Sequence, residues 1–172
     1  MPAAAERGIL PSRMSATTTR LATPADAIEA LDVVRRSITE LCEADHQRDE
    51  PTLERWLLNK TPEHFNRWCA DPDTRLIVAH REAAIVGVAA LHRSGEVRLC
   101  YVRPDRARSG VGRELLLTIE AYARDWNLPA LKLNSSLSAR HFYERWGFSS
   151  AGASTPHFGV LRGYPYIKTL SG

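Results

Sequence analysis

The chain has 172 residues, 44% of them hydrophobic, which suits one globular domain, and its net charge of +3 is too mild to indicate nucleic-acid binding by itself. The three cysteines are widely spaced and form no Cys-x-x-Cys pair, so we expect no disulfide framework and no metal site, in a protein of the reducing cytoplasm. No apolar run approaches the 18 residues of a membrane span.

The N-terminal segment is rich in Ala, Ser and Thr and has no apolar core of a signal peptide. We expect a disordered tail over residues 1–17, followed by a single domain over 18–172. Either Met1 or Met14 could be the start of the chain.

Before residue 71 the sequence predicts one short strand, over 17–21, and then mainly helices. Thr23-Pro24 and Thr61-Pro62 each place a capping threonine before a proline in the first turn of a helix. Between these starts, residues 43–50 are acidic and polar and predict a loop or a break in the helix. A further helical stretch contains Leu53, Trp56 and Leu57.

The second half predicts a mixed α/β (α+β) structure with a largely antiparallel sheet. Strands are expected over 74–80, 84–91, 96–102, 129–134, 148–153 and 163–170. Helices are expected over 110–126 and 137–146, and an irregular segment over 154–162.

A basic, glycine-containing loop follows the strand that ends before Pro104. The helix after it begins near Gly110, and helix N-termini carry free amide groups and a positive dipole. Arg106, Arg108 and Arg113 add positive charge at the same place. Glycines let an anion approach the backbone closely, so this loop predicts a binding site for a phosphorylated cofactor.

A second motif follows about 25 residues later and consists of Ala139, Phe142, Tyr143, Gly147 and Phe148. The two motifs, in this order, resemble those of the GNAT N-acetyltransferase superfamily. The resemblance is strongest over residues 75–170. That family's loop motif is Arg/Gln-x-x-Gly-x-Gly/Ala, and the later phrase is Ala-x-x-Phe-Tyr-x-x-x-Gly-Phe. This chain departs from the first motif at one position, where it has Ala107.

The resemblance implies a GNAT-like fold, with a central mixed, mostly antiparallel sheet splayed around the cofactor and helices on both faces. It implies acetyl-CoA as cosubstrate. The residues that it assigns to the cofactor are Cys100, Tyr101, Val102, Arg108, Ser109, Gly110, Val111, Gly112, Arg113 and Asn134.

For catalysis, the resemblance places Tyr143 near the sulfur of CoA as an acid. It places Glu96, which opens the strand before the glycine-containing loop, as a base acting through water. His92 and His141 are weaker candidates for the base. A covalent acetyl-Cys100 is an alternative without an assignable histidine partner.

The acceptor site is expected, by the same resemblance, between the first helices and the sheet. Asp45, Asp49 and Glu50 lie there and could attract a cationic amine.

Three classes of function stay open. The first is direct acetyl transfer, in a ternary complex, to the primary amine of a small molecule or to an amine on a protein or aminoacyl-tRNA. The second is a CoA-binding sensor without turnover. The third, a nucleic-acid-associated protein, is disfavoured because the chain has no basic, aromatic-interleaved pattern. A homodimer is possible.

Overall fold

A computed structural model gives the fold and describes residues 16–171. Its first sheet is antiparallel, with the strand order β1–β2–β3–β4. These strands are β1 (Thr18–Leu21), β2 (Thr74–Arg81), β3 (Ala84–His92) and β4 (Val97–Val102).

The second sheet comes from the C-terminal part of the chain and is centred on its longest strand. The strands are β5 (Ala130–Ser135), β6 (Ser149–Ser150), β7 (Thr155–Phe158) and β8 (Leu161–Thr169). β8 pairs antiparallel with all three others.

Six α-helices are present among the described residues, and they cover both faces of the first sheet. They are α1 (Ala27–Leu41), α2 (Glu43–His46), α3 (Glu50–Leu57), α4 (Pro62–Ala70), α5 (Val111–Asp125) and α6 (Arg140–Arg145). The apolar side chains of α1 and α4 form one core with the first sheet, and those of α5 form another that extends to β5 and β8. The predicted mixed α/β class is therefore confirmed.

Three predictions in irregular regions differ from the structure. Residues 43–50 include the short helix α2, which ends at Gln47 in the left-handed conformation. Of residues 148–153, only Ser149–Ser150 pairs with β8. The segment 154–162, expected to be irregular, contains β7, because Thr155 and Pro156 pair with Gly163 and Arg162 across a hairpin.

Residues 1–15 of the predicted tail lie outside the described residues. Thr17, the last residue assigned to that tail, has a defined contact, because its hydroxyl accepts a hydrogen bond from Arg81 Nε at 2.8 Å. The contacts of the described residues thus include one made before β1 begins.

Candidate active site

The two sheets meet at one end of β4 and β5 and separate beyond it. Glu96 forms an isolated parallel bridge with Lys132, whose amide donates to the Gly95 carbonyl at 2.9 Å. Past this bridge, the described residues show no ladder between the two strands. We call the opening between them the β4–β5 gap.

A β-bulge in β4 helps to open this gap. Val97 lies opposite Leu91 and Leu99 lies opposite Ala90, which leaves Arg98 as an extra residue without a partner in the ladder. A bulge bends and twists the strand that contains it, so β4 is directed away from β5 after residue 98.

The backbone of β4 presents free hydrogen-bonding groups to the gap. The Arg103 amide donates to the Val86 carbonyl at 2.8 Å, and antiparallel residues alternate between facing the partner strand and facing away. Tyr101 therefore points its backbone groups to β3, whereas Cys100 and Val102 point theirs into the gap.

The same alternation orients β5 on the opposite side. The Leu170 amide donates to the Pro129 carbonyl at 2.9 Å, so every second residue from there, up to Ser135, bonds to β8. The backbone groups of Asn134 face the β4–β5 gap instead. Pro165, which lacks an amide hydrogen, lies opposite Asn134 at a position that needs no donor.

The glycine loop, residues 107–112, leads from β4 to the N-terminus of α5. Arg108 has φ 59° and Gly110 has φ 91°, both in the left-handed region, and successive turns of this kind bring backbone amides to one concave side. Gly110 has open space where a Cβ would stand. The first amides of α5 have no intrahelical acceptor, so the loop fits a phosphate group.

Gly112 joins the two sequence motifs in space. A Cβ at this position would lie 2.9 Å from two ring carbons of Phe142 and 3.7 Å from a methyl carbon of Val102. The start of α5 can therefore pack closely on α6 only because residue 112 has no side chain.

Arginines surround the glycine loop, but their side chains differ in how they are held. Arg103 forms a two-point contact with Asp105, at 2.6 and 3.1 Å. Arg113 lies 3.1 Å from Glu114 and over the Trp146 ring. Arg106 and Arg108 are exposed. The positive charge at the loop is thus available to an anion, while Ala107 contributes only its backbone.

Tyr143 is buried on the side of the gap that faces α5. Its ring packs edge-to-face against Phe142 and Phe148, with centroids 5.2 and 5.4 Å away. Its hydroxyl lies close to the Cys100 thiol. Burial, followed by the nearby Cys100 and Tyr101, raises the pKa of Tyr143 well above its usual value, so the hydroxyl stays protonated and can act as a donor.

Burial also raises the pKa of two consecutive residues of β4, Cys100 and Tyr101. It raises the pKa of the Cys100 thiol to about 12, which keeps this cysteine out of the reactive thiolate form. Tyr101 lies on the other face of the sheet, in the same apolar cluster as Trp56, and burial raises its pKa.

Glu96 lies at the closed end of the gap. Its side chain is half exposed, and its carboxylate is 3.8 Å from the Arg98 guanidinium. Cys100 lies four positions further along the chain, which corresponds to about 13 Å in an extended strand. Contact between Glu96 and a group near Tyr143 would need intervening water.

The two candidate histidines lie apart from the gap-facing groups. His92 Nδ1 is 2.9 Å from the Ser94 hydroxyl in the β3–β4 turn. The side chain of His141 is fully exposed on α6.

The three predicted acceptor carboxylates have different surroundings. Asp45 is buried, and its oxygens accept bonds from the Leu137 amide at 2.6 Å and from the Ser138 amide and hydroxyl at 3.2 and 2.5 Å. Asp49 caps α3 through Thr52, and Glu50 is exposed. The contacts of Asp45 connect α2 to the turn before α6, and acceptor binding by Asp45, Asp49 and Glu50 stays a prediction.

Residues 42–170 match a family model described as an acetyltransferase (GNAT) domain. The chain belongs to the GNAT acetyltransferase family. It is 31% identical over 118 residues to an IAA acetyltransferase from Azospirillum brasilense, a match that covers 61% of this chain and 77% of that protein. Family membership makes this protein an acetyltransferase and supports the use of acetyl-CoA.

Solved structures of acetyltransferases share this fold. A GCN5-related N-acetyltransferase from Rhodopseudomonas palustris matches with a TM-score of 0.81 and 22% identity, over 91% of this chain and 98% of that one. The PaiA N-acetyltransferase from Thermoplasma acidophilum, solved in complex with coenzyme A, matches with a TM-score of 0.76 and 17% identity, over 90% and 99%.

The acetyltransferase also contains a contact that the sequence did not predict, between the β7–β8 hairpin and α3. The Val160 amide donates to the Thr52 hydroxyl at 3.1 Å, and a Cβ at Gly159 would overlap that hydroxyl. Arg55 lies over the Phe158 ring, 4.9 Å from its centroid. The hairpin therefore packs against α3.

No helix among residues 16–171 is both long and apolar enough to cross a membrane.

Proposed function

We propose that this GNAT enzyme transfers an acetyl group from acetyl-CoA to the primary amine of a small molecule, directly and within a ternary complex. The observation that carries the proposal is the β4–β5 gap, which has free backbone groups on both edges, a glycine loop at one end and the protonated hydroxyl of Tyr143 beside it.

Acetyl-CoA supplies the activated thioester. The glycine loop, with Arg108, Ser109, Gly110, Val111, Gly112 and Arg113, holds its diphosphate through amides and positive charge. The backbone groups of Cys100, Val102 and Asn134 hydrogen-bond the pantetheine arm, and Tyr101 orients the strand between them. An amide of β4 polarises the acetyl carbonyl as negative charge develops on its oxygen.

In the transfer, the C–N bond to the amine forms and the C–S bond breaks. Glu96 accepts the amine proton through water, and Tyr143 donates a hydrogen bond to the leaving sulfur. The raised pKa of Tyr143 favours donation of a hydrogen bond over complete loss of its proton to a thiolate. The Cys100 thiol, whose pKa is also raised, argues against a covalent acetyl-Cys100.

A small acceptor is favoured by the hairpin contact. The β7–β8 hairpin packs on Thr52 of α3, so it would border the proposed acceptor site, and a bordered site suits a small amine better than a folded macromolecule. The free cysteines Cys42, Cys69 and Cys100 support the prediction of a cytoplasmic enzyme.

The proposal is tested by calorimetric titration of the protein with acetyl-CoA, beside the Arg108→Glu/Gly110→Asp double variant, and then by a screen of small amines for release of free CoA. We expect micromolar binding that the variant loses, and turnover with at least one amine. The protein could also bind acetyl-CoA and acetylate a protein or an aminoacyl-tRNA but no small amine. That result would show that the acceptor is a macromolecule and not a small molecule. Absence of binding by the folded protein would contradict the cofactor assignment.

A further inference from the structure

Arg81, at the end of β2, is bonded to the glycine loop although 28 residues separate it from Ser109. One guanidinium nitrogen donates to the Ser109 carbonyl at 2.5 Å. The Nε of the same group donates to the Thr17 hydroxyl at 2.8 Å. Two bonds in different directions fix the plane of the guanidinium group.

The bond to Ser109 determines where the next amide points. In a planar trans peptide the carbonyl of one residue and the N–H of the next point in opposite directions. Because the Ser109 carbonyl points at Arg81, the Gly110 N–H points away from it. Gly110 is the residue with open space at its Cβ position.

The loop needs such a connection because its other bonds are local. The Ser109 hydroxyl donates to the Arg106 carbonyl at 2.5 Å, and the Ala107 amide donates to the Pro104 carbonyl at 3.3 Å. These bonds lie within the loop and leave its orientation relative to the sheet undetermined. Arg108 and Gly110, which flank Ser109, both have left-handed backbone conformations, so rotation of this one peptide would redirect the amides.

We propose that Arg81 is a positioning residue for diphosphate binding. By holding the Ser109 carbonyl against the β2–β3 hairpin, it presents the Gly110 amide, together with the first amides of α5, to the diphosphate of acetyl-CoA. This inference rests on the proposed function, since it takes acetyl-CoA to bind at the glycine loop.

The test compares Arg81→Met, which removes the donor and keeps the aliphatic stem, with Arg81→Lys, which keeps the charge. Arg75→Met is the matched control, because Arg75 lies on the same strand and also donates to a carbonyl, that of Pro72, at 3.2 Å. Calorimetry gives the Kd for CoA, and kinetics give kcat and KM with acetyl-CoA. A third assay uses S-acetylpantetheine, a thioester without the diphosphate.

We expect Arg81→Met to raise the Kd for CoA and the KM for acetyl-CoA about tenfold, the size expected for loss of one charge-assisted hydrogen bond. Its kcat and its kcat/KM with S-acetylpantetheine should stay within about twofold of wild type, on the same reasoning that only the diphosphate contact is lost. Arg81→Lys should recover part of the affinity, and Arg75→Met should leave it unchanged.

An unchanged Kd for CoA in Arg81→Met would overturn the proposal, and so would an equal loss with S-acetylpantetheine, which would indicate general damage. If Arg81→Met does not fold, Arg81→Leu, which also removes the donor, replaces it with the same expected result. Failure of the wild-type protein to bind CoA would instead contradict the proposed function, so the two failures are distinguishable.

Discussion

The proposed cofactor side, around the glycine loop, and the proposed acceptor side, around α2, α3 and the β7–β8 hairpin, are built in different ways. On the cofactor side, most contacts of the glycine loop are made within a few residues, and one side chain, Arg81, connects the loop to the sheet. On the acceptor side, the decisive contacts join residues far apart in the chain. Asp45 bonds to Ser138 across 93 residues, and Thr52 bonds to Val160 across 108.

This difference has a physical consequence. A loop with glycines and a helix start has most of its determinants in a short stretch of sequence, and Arg81 is its one side-chain hydrogen bond to a distant strand among those described above. Long-range contacts depend on both partners at once. The proposed acceptor side can therefore change shape through single substitutions at either end of several contacts, whereas the proposed cofactor side changes through its glycines and through Arg81.

The largest expected effect is on the acceptor side. Asp45→Ala removes the acceptor for two amides and one hydroxyl in a buried place, and we expect a loss of about 3 kcal/mol in the free energy of unfolding. Denaturant titration measures it. Asp49→Ala is the matched control, since it removes only a local helix cap and should cost about 1 kcal/mol. Unchanged stability in Asp45→Ala with a raised acceptor KM would favour the substrate-binding interpretation.

The second prediction concerns Tyr143, which lies between the two sides. Tyr143→Phe should lower kcat about a hundredfold, because it removes the hydrogen bond to the leaving sulfur, while the KM for acetyl-CoA changes little. Steady-state kinetics measure both. Tyr166→Phe is the control: its buried hydroxyl donates to Glu144 at 2.6 Å, so we expect reduced stability and an unchanged kcat. A similar loss of kcat in both variants would argue against a role of Tyr143 at the sulfur.

The third prediction concerns the packing of the glycine loop. Gly112→Ala places a methyl group 2.9 Å from the Phe142 ring, and we expect α5 to shift and the Kd for CoA to rise about tenfold, as overpacking typically costs 1–3 kcal/mol. Calorimetry measures the Kd. Adding Phe142→Leu should restore much of the affinity, since it removes the ring that causes the clash. Lack of recovery would mean that the Gly112 backbone itself, and not its packing on Phe142, is what the loop requires.

Sequence patterns predicted the elements around the glycine loop because their determinants are local. Pro104, Gly110 and the apolar spacing of the following helix are visible in a short window, and the structure places α5 within the predicted range. The β-bulge at Arg98 could not be predicted, because it is defined only by the strand opposite. Arg81 was not selected either, because nothing near it in the sequence indicates a contact with Ser109.

The local structure of α2 and β7 was predicted less well, because it depends on contacts with distant residues. Asp45 stands in an acidic segment that reads as solvated, and its burial depends on the turn at Leu137 and Ser138. The strand β7 contains a proline and ends next to Gly159, which are signals of irregular structure. Pairing with β8 outweighs them.

The smallest expected effect is the contribution of one local ion pair, between Arg20 and Asp26, to the free energy of unfolding. Asp26, in the turn before α1, accepts two bonds from Arg20, at 2.7 and 2.8 Å, and one from the Thr23 amide at 2.8 Å. The Arg20 guanidinium lowers the pKa of Asp26 to about 2, against about 4 for an unfolded aspartate.

Because the pKa is lower in the folded state, the stabilisation is complete above pH 4 and is lost as the pH falls from about 4 to about 2. Arg20 is 44% exposed, so screening by solvent should limit the contribution to about 1 kcal/mol. Denaturant titrations of wild type and Asp26→Asn at pH 7, 4, 3 and 2 measure it. The difference between them should be largest at pH 7 and vanish near pH 2, and a difference independent of pH would show that Asp26 acts through packing and not through its charge.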